Sequence, residues 1–129
     1  MNQPEALIVL TTWPAGEEAT GFATTLVEER LAACVNLLPV MESIYRWQGR
    51  VEKAPERQVV IKTTAAQFEA LKLRLQALHP YDVPELIALP IVDGGAAYLS
   101  WLADSTGPAN WQSKESGPGP EAGSPEPKA

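Results

Sequence analysis

Cysteine and histidine are almost absent from this chain: it carries one of each, Cys34 and His79. A lone cysteine excludes an intrachain disulfide and fits a reducing compartment. Basic residues are also scarce, Lys+Arg 10 against Asp+Glu 16 for a net charge of -6. The positive field that draws a protein to phosphate backbones is missing, so nucleic acid and anionic membrane surfaces are not the expected partners. No stretch approaches the roughly 18 apolar residues of a membrane span, and the N-terminus lacks a basic region followed by a long apolar core. A soluble cytoplasmic protein is the expectation. Neither G-x-G-x-x-G nor G-x-x-x-x-G-K-[ST] occurs, since "DGG" at 93-95 stands alone after an apolar run, and nucleotide binding by those two devices is excluded.

What is present is enough for one domain. The 129 residues are 45% hydrophobic, which supplies an ordinary single core and leaves no room for a second. From Ser105 the text turns rich in Gly, Pro and Ser. Such a segment buries too little apolar surface to offset its ordering entropy, so residues 1-104 are expected to fold and 105-129 to form a disordered tail.

"ALIVLTTW" (6-13) is a β-branched apolar run that reads as a strand buried on both faces. Between Glu17 and Leu31, Ala19, Phe22, Ala23, Leu26 and Arg30 share a helical stripe, with Glu28 and Glu29 on the solvated side. Residues 34-64 lack helical periodicity. There Ile44 and Arg46 alternate with Ser43, Tyr45 and Trp47, and Gln48-Gly49 offers the positive φ of a tight turn, giving a long hairpin with Pro39 and Pro55 at bulge or edge positions. Thr64 and Gln67 have the spacing of a capping box ahead of a helix that carries Phe68, Leu71, Leu75 and Leu78 and stops at Pro80. "ELIALPIV" reads as a last buried strand and "AAYLSWLA" as a closing helix. The order β-α-β-β-α-β plus a terminal helix is that of an α+β ferredoxin-like split β-α-β fold, a four-stranded antiparallel sheet with helices on one face. A single copy would leave Tyr45, Trp47 and the hairpin as an exposed apolar patch with unpaired edges, which argues for self-association.

The candidate chemistry is sparse. His79 ends the second helix among three prolines and two acids, and reads either as a metal ligand with nearby Asp82 and Glu85 or as a residue packing the helix C-terminus, where an imidazolium suits the dipole. Cys34 with His79 as base is an arithmetically available nucleophilic pair, set against a strand-entry thiol that serves as a small hydrophobe. Lys62, Tyr81 and Glu85, with Cys34 nearby, are candidates to line a small ligand pocket, or Lys62 simply forms a salt bridge.

Taken together, "LVEERLAACVNLLP" (26-39), "SIYRWQGRVE" (43-52), "VVIKTT" (59-64), "LHPYDVPELIALPI" (78-91) and "YLSWL" (98-102) closely resemble the CutA divalent-cation tolerance family. The resemblance spans nearly all of residues 6-102. It implies a ferredoxin-like subunit in a homotrimer similar in architecture to the PII signalling proteins, with Tyr45 and Trp47 at the interface and residence in the cytoplasm. It also implies tolerance of copper and other divalent cations without an established reaction. Copper-binding members carry a cysteine after the first strand and paired histidines before Pro-Tyr. Here Thr11 and Leu78 stand at two of those places, leaving His79 as the metal candidate. No catalytic residue and no required cofactor are expected, with weakly bound Cu(II) as the one candidate. The alternative expectation is a non-catalytic, PII-like trimer sensing a small molecule in an intersubunit pocket.

Overall fold

The computed structural model describes residues 5-109. The elements run β1 (Ala6–Pro14), α1 (Thr20–Glu28), β2 (Cys34–Trp47), β3 (Arg50–Thr64), a 3-10 turn (Ala65–Gln67), α2 (Phe68–Leu78), β4 (Ile87–Pro90) and α3 (Ala96–Asp104). The four strands form one antiparallel sheet in the order β2-β3-β1-β4, which is the split β-α-β topology expected from the order of elements.

Strand parity decides which side becomes core. Val9, Thr11 and Trp13 of β1 lie beside Ile61, Val59 and Arg57 of β3. The apolar members of this face pack with Phe22 and Leu26 of α1 and Leu71 and Leu75 of α2. The opposite face carries Ile8, Leu10 and Thr12 of β1, Glu56, Gln58 and Lys62 of β3, and Met41, Tyr45 and Trp47 of β2. Of the helices only α3 reaches it, at its Ala6 end.

The hairpin turns where glycine was read. Gln48 and Gly49 both take positive φ (51° and 82°), the backbone of a two-residue turn whose twist matches the strands it joins. Pro39 falls in the irregularity between Leu37 and Val40, where a missing N–H costs no ladder bond. β3 meets β1 only from Glu56 to Thr64, so Arg50–Pro55 is paired with β2 alone and the hairpin extends past the sheet as a two-stranded ribbon.

Four local readings are corrected. The first helix is shorter than Glu17–Leu31: Arg30 turns to φ +61° and leaves the stripe, and its guanidinium donates to the carbonyls of Asp104 and Gly107. Glu29 is not merely solvated, because Arg74 of α2 donates twice to its carboxylate (2.9 and 2.8 Å) and holds it below the ordinary carboxylate range. No capping box forms: Thr64 makes no side-chain cap, and its hydroxyl instead lies 3.4 Å from that of Thr106. The last strand is a four-residue edge, Ile87–Pro90, with all four residues exposed rather than buried, since it flanks only β1 and nothing packs over it.

The fold also runs past residue 104. Thr106 is buried, and Gly107, at φ +75°, donates its N–H to the Arg30 carbonyl (2.9 Å) while accepting from the Arg30 side chain. A side chain at 107 would also press on the Gln67 amide, 3.0 Å from where its Cβ would sit. Residues 110-129 of the expected tail lie outside the described residues.

A chain ending at Ala109 is therefore expected to melt several degrees above one ending at Asp104, since each lost hydrogen bond is worth roughly 1 kcal/mol and a domain of this size shifts by about 4–8 °C per kcal/mol. Equal melting temperatures by calorimetry would show that the Arg30–Gly107 clasp contributes nothing.

Candidate functional site

The site grows from a backbone carbonyl that the sheet leaves unserved. β4 pairs with β1 only from Leu7↔Pro90 to Leu10↔Ile87, so Thr12 lies beyond its reach. A carbonyl in that position needs donors from elsewhere. His79 Nε2 supplies one at 2.6 Å and the Thr11 hydroxyl a distant second at 3.4 Å, while Gln58 Nε2 donates to the neighbouring Thr11 carbonyl at 2.7 Å.

His79 is placed there by the end of α2. Its backbone N–H still bonds the Leu75 carbonyl, but its ψ of 139° is extended, as expected before a proline. The chain then folds over the open sheet face, and Tyr81 donates its N–H to His79 Nδ1 (3.0 Å). An Nδ1 that accepts and an Nε2 that donates define a neutral imidazole in a single tautomer. Only 8% of the residue is exposed, it lies 4.8 Å edge-on from Trp13, and burial lowers its pKa against the opposing pull of the Thr12 bond and of Glu56. His79 packs the C-terminus of α2 as one of the two readings had it, but as a neutral imidazole rather than an imidazolium, and both of its nitrogens are already engaged in hydrogen bonds. Trp13, stacked on Phe22 at 4.4 Å, carries the one buried side-chain N–H without a partner among the described residues.

Beyond His79 the loop builds a cleft of about 780 Å³ against the open face. Tyr81 donates its hydroxyl to Glu56 (2.6 Å), and burial first, then this carboxylate, raises its pKa above the ordinary phenol range. Gln58 Nε2 also reaches Glu85 (3.0 Å), so the amide bridges the strand backbone and the loop. Met41, Tyr45 and Trp47 of the hairpin form the opposite wall. Among the described residues three carboxylates, those of Glu56, Asp82 and Glu85, border the space, and no lysine or arginine does. The electrostatic preference of the cleft is for a cation.

Of the residues singled out in the sequence, Tyr81 and Glu85 line this cleft, and Tyr45 and Trp47 edge it while remaining 43% and 47% exposed. Lys62 and Cys34 do not belong to it. They pair with each other across β2 and β3, on the same sheet face but four residues along β3 from Gln58, about 13 Å at ~3.3 Å per residue. Cys34 is half-buried, with its thiol 3.9 Å from Asn36 Oδ1, and so is not the core hydrophobe expected. The same separation, together with the engaged nitrogens of His79, removes Cys34–His79 as a nucleophilic pair. The missed residues are Glu56, Gln58 and the Thr12 carbonyl. The available signal was the pair of polar even-numbered positions Glu56 and Gln58 directly ahead of the apolar run Val59-Val60-Ile61.

The comparisons with known proteins agree with the fold. The sequence pattern of the family described as "CutA1 divalent ion tolerance protein" matches residues 7–105. A curated relative from Thermus thermophilus, "Divalent-cation tolerance protein CutA", is 54% identical over 100 residues, 78% of this chain and 97% of the relative. "Protein CutA, chloroplastic" from Arabidopsis thaliana is 45% identical over 101 residues, 78% of this chain and 56% of the relative. The solved structure of "Divalent cation tolerance protein (Cut A1)" from Thermus thermophilus superposes with a TM-score of 0.76 at 53% identity, covering 79% of this chain and 99% of that one.

The buried neutral histidine has a pH signature. Its folded pKa lies below the unfolded 6.5, so its contribution to stability is complete above that value and is lost as pH falls through the native pKa. Between about pH 7.5 and about pH 5 the wild type should lose more melting temperature than His79→Gln, which cannot titrate. Parallel profiles for the two proteins would contradict a neutral His79. Removing the imidazole should itself cost about 1–3 kcal/mol, by leaving the Thr12 carbonyl with one donor fewer.

Proposed function

The chain belongs to the CutA1 divalent ion tolerance protein family, and from that membership we propose that it works in divalent-cation tolerance as a homotrimer. On this reading it resides in the cytoplasm, binds or responds to copper and other divalent ions, has no nucleic-acid or membrane partner, and catalyses no reaction. The observation that carries the reading is the acidic cleft, which among the described residues has Glu56, Asp82 and Glu85 and no opposing lysine or arginine.

The donor set fits a divalent ion in part. Carboxylate and amide oxygens suit hard cations, whereas the imidazole and thiolate that copper favours are engaged in hydrogen bonds or lie about 13 Å away. Among the described residues no three His, Cys, Asp or Glu side chains converge as a cage. A second copy is therefore assigned the remaining ligands, with Asp82 and Glu85 as this chain's share.

The trimer is supported by the hairpin. Ile44, Tyr45, Trp47 and Val51 are all exposed on a ribbon that no third strand backs. Two-stranded ribbons of this kind are marginal in water, and burial against another copy removes the exposed apolar area. The second reading, a PII-like trimer that senses a small molecule, draws on the same cleft: about 780 Å³ is the size of an organic-ligand pocket rather than of an ion cage.

Calorimetric titration with Cu(II) tests the cation reading. Heat is expected from the wild type and from His79→Gln but not from the Asp82→Asn, Glu85→Gln double variant. Loss of the heat in His79→Gln, with native mass and circular dichroism preserved, would transfer the site back to the imidazole and overturn the assignment.

Light scattering tests the assembly. The wild type is expected at three chain masses, and Trp47→Glu should fall toward one because it places a charge in the apolar contact. An intact trimer in the variant would remove Trp47 from the interface.

A further inference from the structure

Glu56 is the least conventional group in the molecule. Only 7% of it is exposed, and among the described residues no lysine, arginine or histidine forms an ion pair with it. Its Oε2 accepts from the Tyr81 hydroxyl (2.6 Å) and distantly from that of Thr12 (3.5 Å), while Oε1 has no hydrogen-bond partner. Burying a carboxylate is costly unless a counter-charge or further donors meet it. Two hydroxyls meet half of that requirement, and Oε1, which is not closed off from solvent, opens onto the cleft that Glu56 lines.

The surroundings define what would complete it. The remaining charged groups on the rim, Asp82 and Glu85, are also acidic, so none of the described residues offers the missing positive charge there. The walls are not those of an ion cage: Tyr45, Trp47 and Tyr81 contribute aromatic surface, and the space far exceeds a hydrated ion. A carboxylate at the floor and π faces at the walls is the pairing that recognises ammonium and guanidinium groups on a carbon body.

We propose that the cleft is a binding site for an organic cation, with Glu56 pairing its ammonium or guanidinium group and Tyr45, Trp47 and Tyr81 enclosing its body. This rests on the reading that the acidic cleft is the functional site. It differs from the divalent-ion reading in the ligand and in the residue that matters most: Glu56 at the floor, rather than Asp82 and Glu85 at the rim. Cations of this class distinguish themselves from metals by needing shape as well as charge, which the aromatic walls supply.

The test is calorimetry and thermal shift on the full chain with agmatine, spermidine and choline, using 1,4-butanediol as a neutral control. At least one cation should bind saturably and raise the melting temperature, while butanediol does neither. Glu56→Gln should weaken binding about tenfold or more and Tyr81→Phe, which keeps the ring and the carboxylate, by a smaller factor. Glu85→Gln, at a half-buried site, is the second variant should Glu56→Gln lose its native mass, and it should also weaken binding. Failure of every cation to bind, or equal binding by the wild type and by both glutamate variants, overturns the proposal. Cu(II) titrated into the same samples separates the two readings: copper heat without amine binding sinks the organic-cation site and leaves the divalent-ion reading standing. Silence to both removes both.

Discussion

The carbonyl of Thr12 is the constraint on which the working end of this molecule depends. β1 runs on after β4 has stopped, and a strand that outruns its neighbour exposes hydrogen-bonding groups that cannot stay unpaired in a buried place. Gln58 donates to the neighbouring Thr11 carbonyl, and His79 donates to the Thr12 oxygen itself. Everything that follows in the loop is positioned by this bond: it holds the imidazole neutral, the imidazole accepts from Tyr81, and Tyr81 in turn reaches Glu56. A metal at Nδ1 would have to displace the Tyr81 N–H, and one at Nε2 would cost the bond to Thr12 as well.

The prolines make the same connection mechanically. Pro80 has no N–H to continue α2, and it disfavours the helical conformation at His79, so the chain leaves the helix at the level of Thr12. What sequence composition presents as an isolated histidine is thus a splice between a helix end and a strand end. The acids that accompany it, Asp82 and Glu85, are then delivered to the sheet face opposite α1 and α2, away from the Ala6 end that α3 covers.

Much of this architecture was legible in the residues, and the failures have identifiable causes. Periodicities of 2 and 3.6 located the strands and helices, and Gln48-Gly49 located the turn, because these are local properties of consecutive side chains. Grouping Lys62 and Cys34 with Tyr81 and Glu85 failed on register. Parity puts Lys62 on the correct face, but only the β1–β3 pairing reveals that Gln58, not Lys62, stands opposite Thr12. Glu56 and Gln58 escaped notice because a polar residue at every second position of a strand ordinarily faces water. Their burial comes from a loop more than twenty residues later in the chain, which no local pattern encodes. Thr106 was assigned to the tail for a similar reason: its Gly/Pro/Ser surroundings speak for entropy, whereas its hydrogen bonds to Leu102, Ala103 and Thr64 speak for order, and only the fold brings Thr64 near.

The hairpin ties assembly to the cleft. The ribbon from Glu42 to Pro55 has no third strand, yet Tyr45 and Trp47 on it form the wall opposite the His79 loop. Under the proposed trimer, the contact that steadies this ribbon comes from another copy, so the cleft reaches its final shape only in the assembled protein. Linkage then works in both directions: whatever fills the cleft must favour the assembled form, and whatever loosens the interface must weaken binding in the same proportion. A variant such as Trp47→Glu would then disturb both at once. Glu56→Gln, at a buried position on the floor of the cleft, separates them by altering the charge of the site while leaving the exposed hairpin surface unchanged.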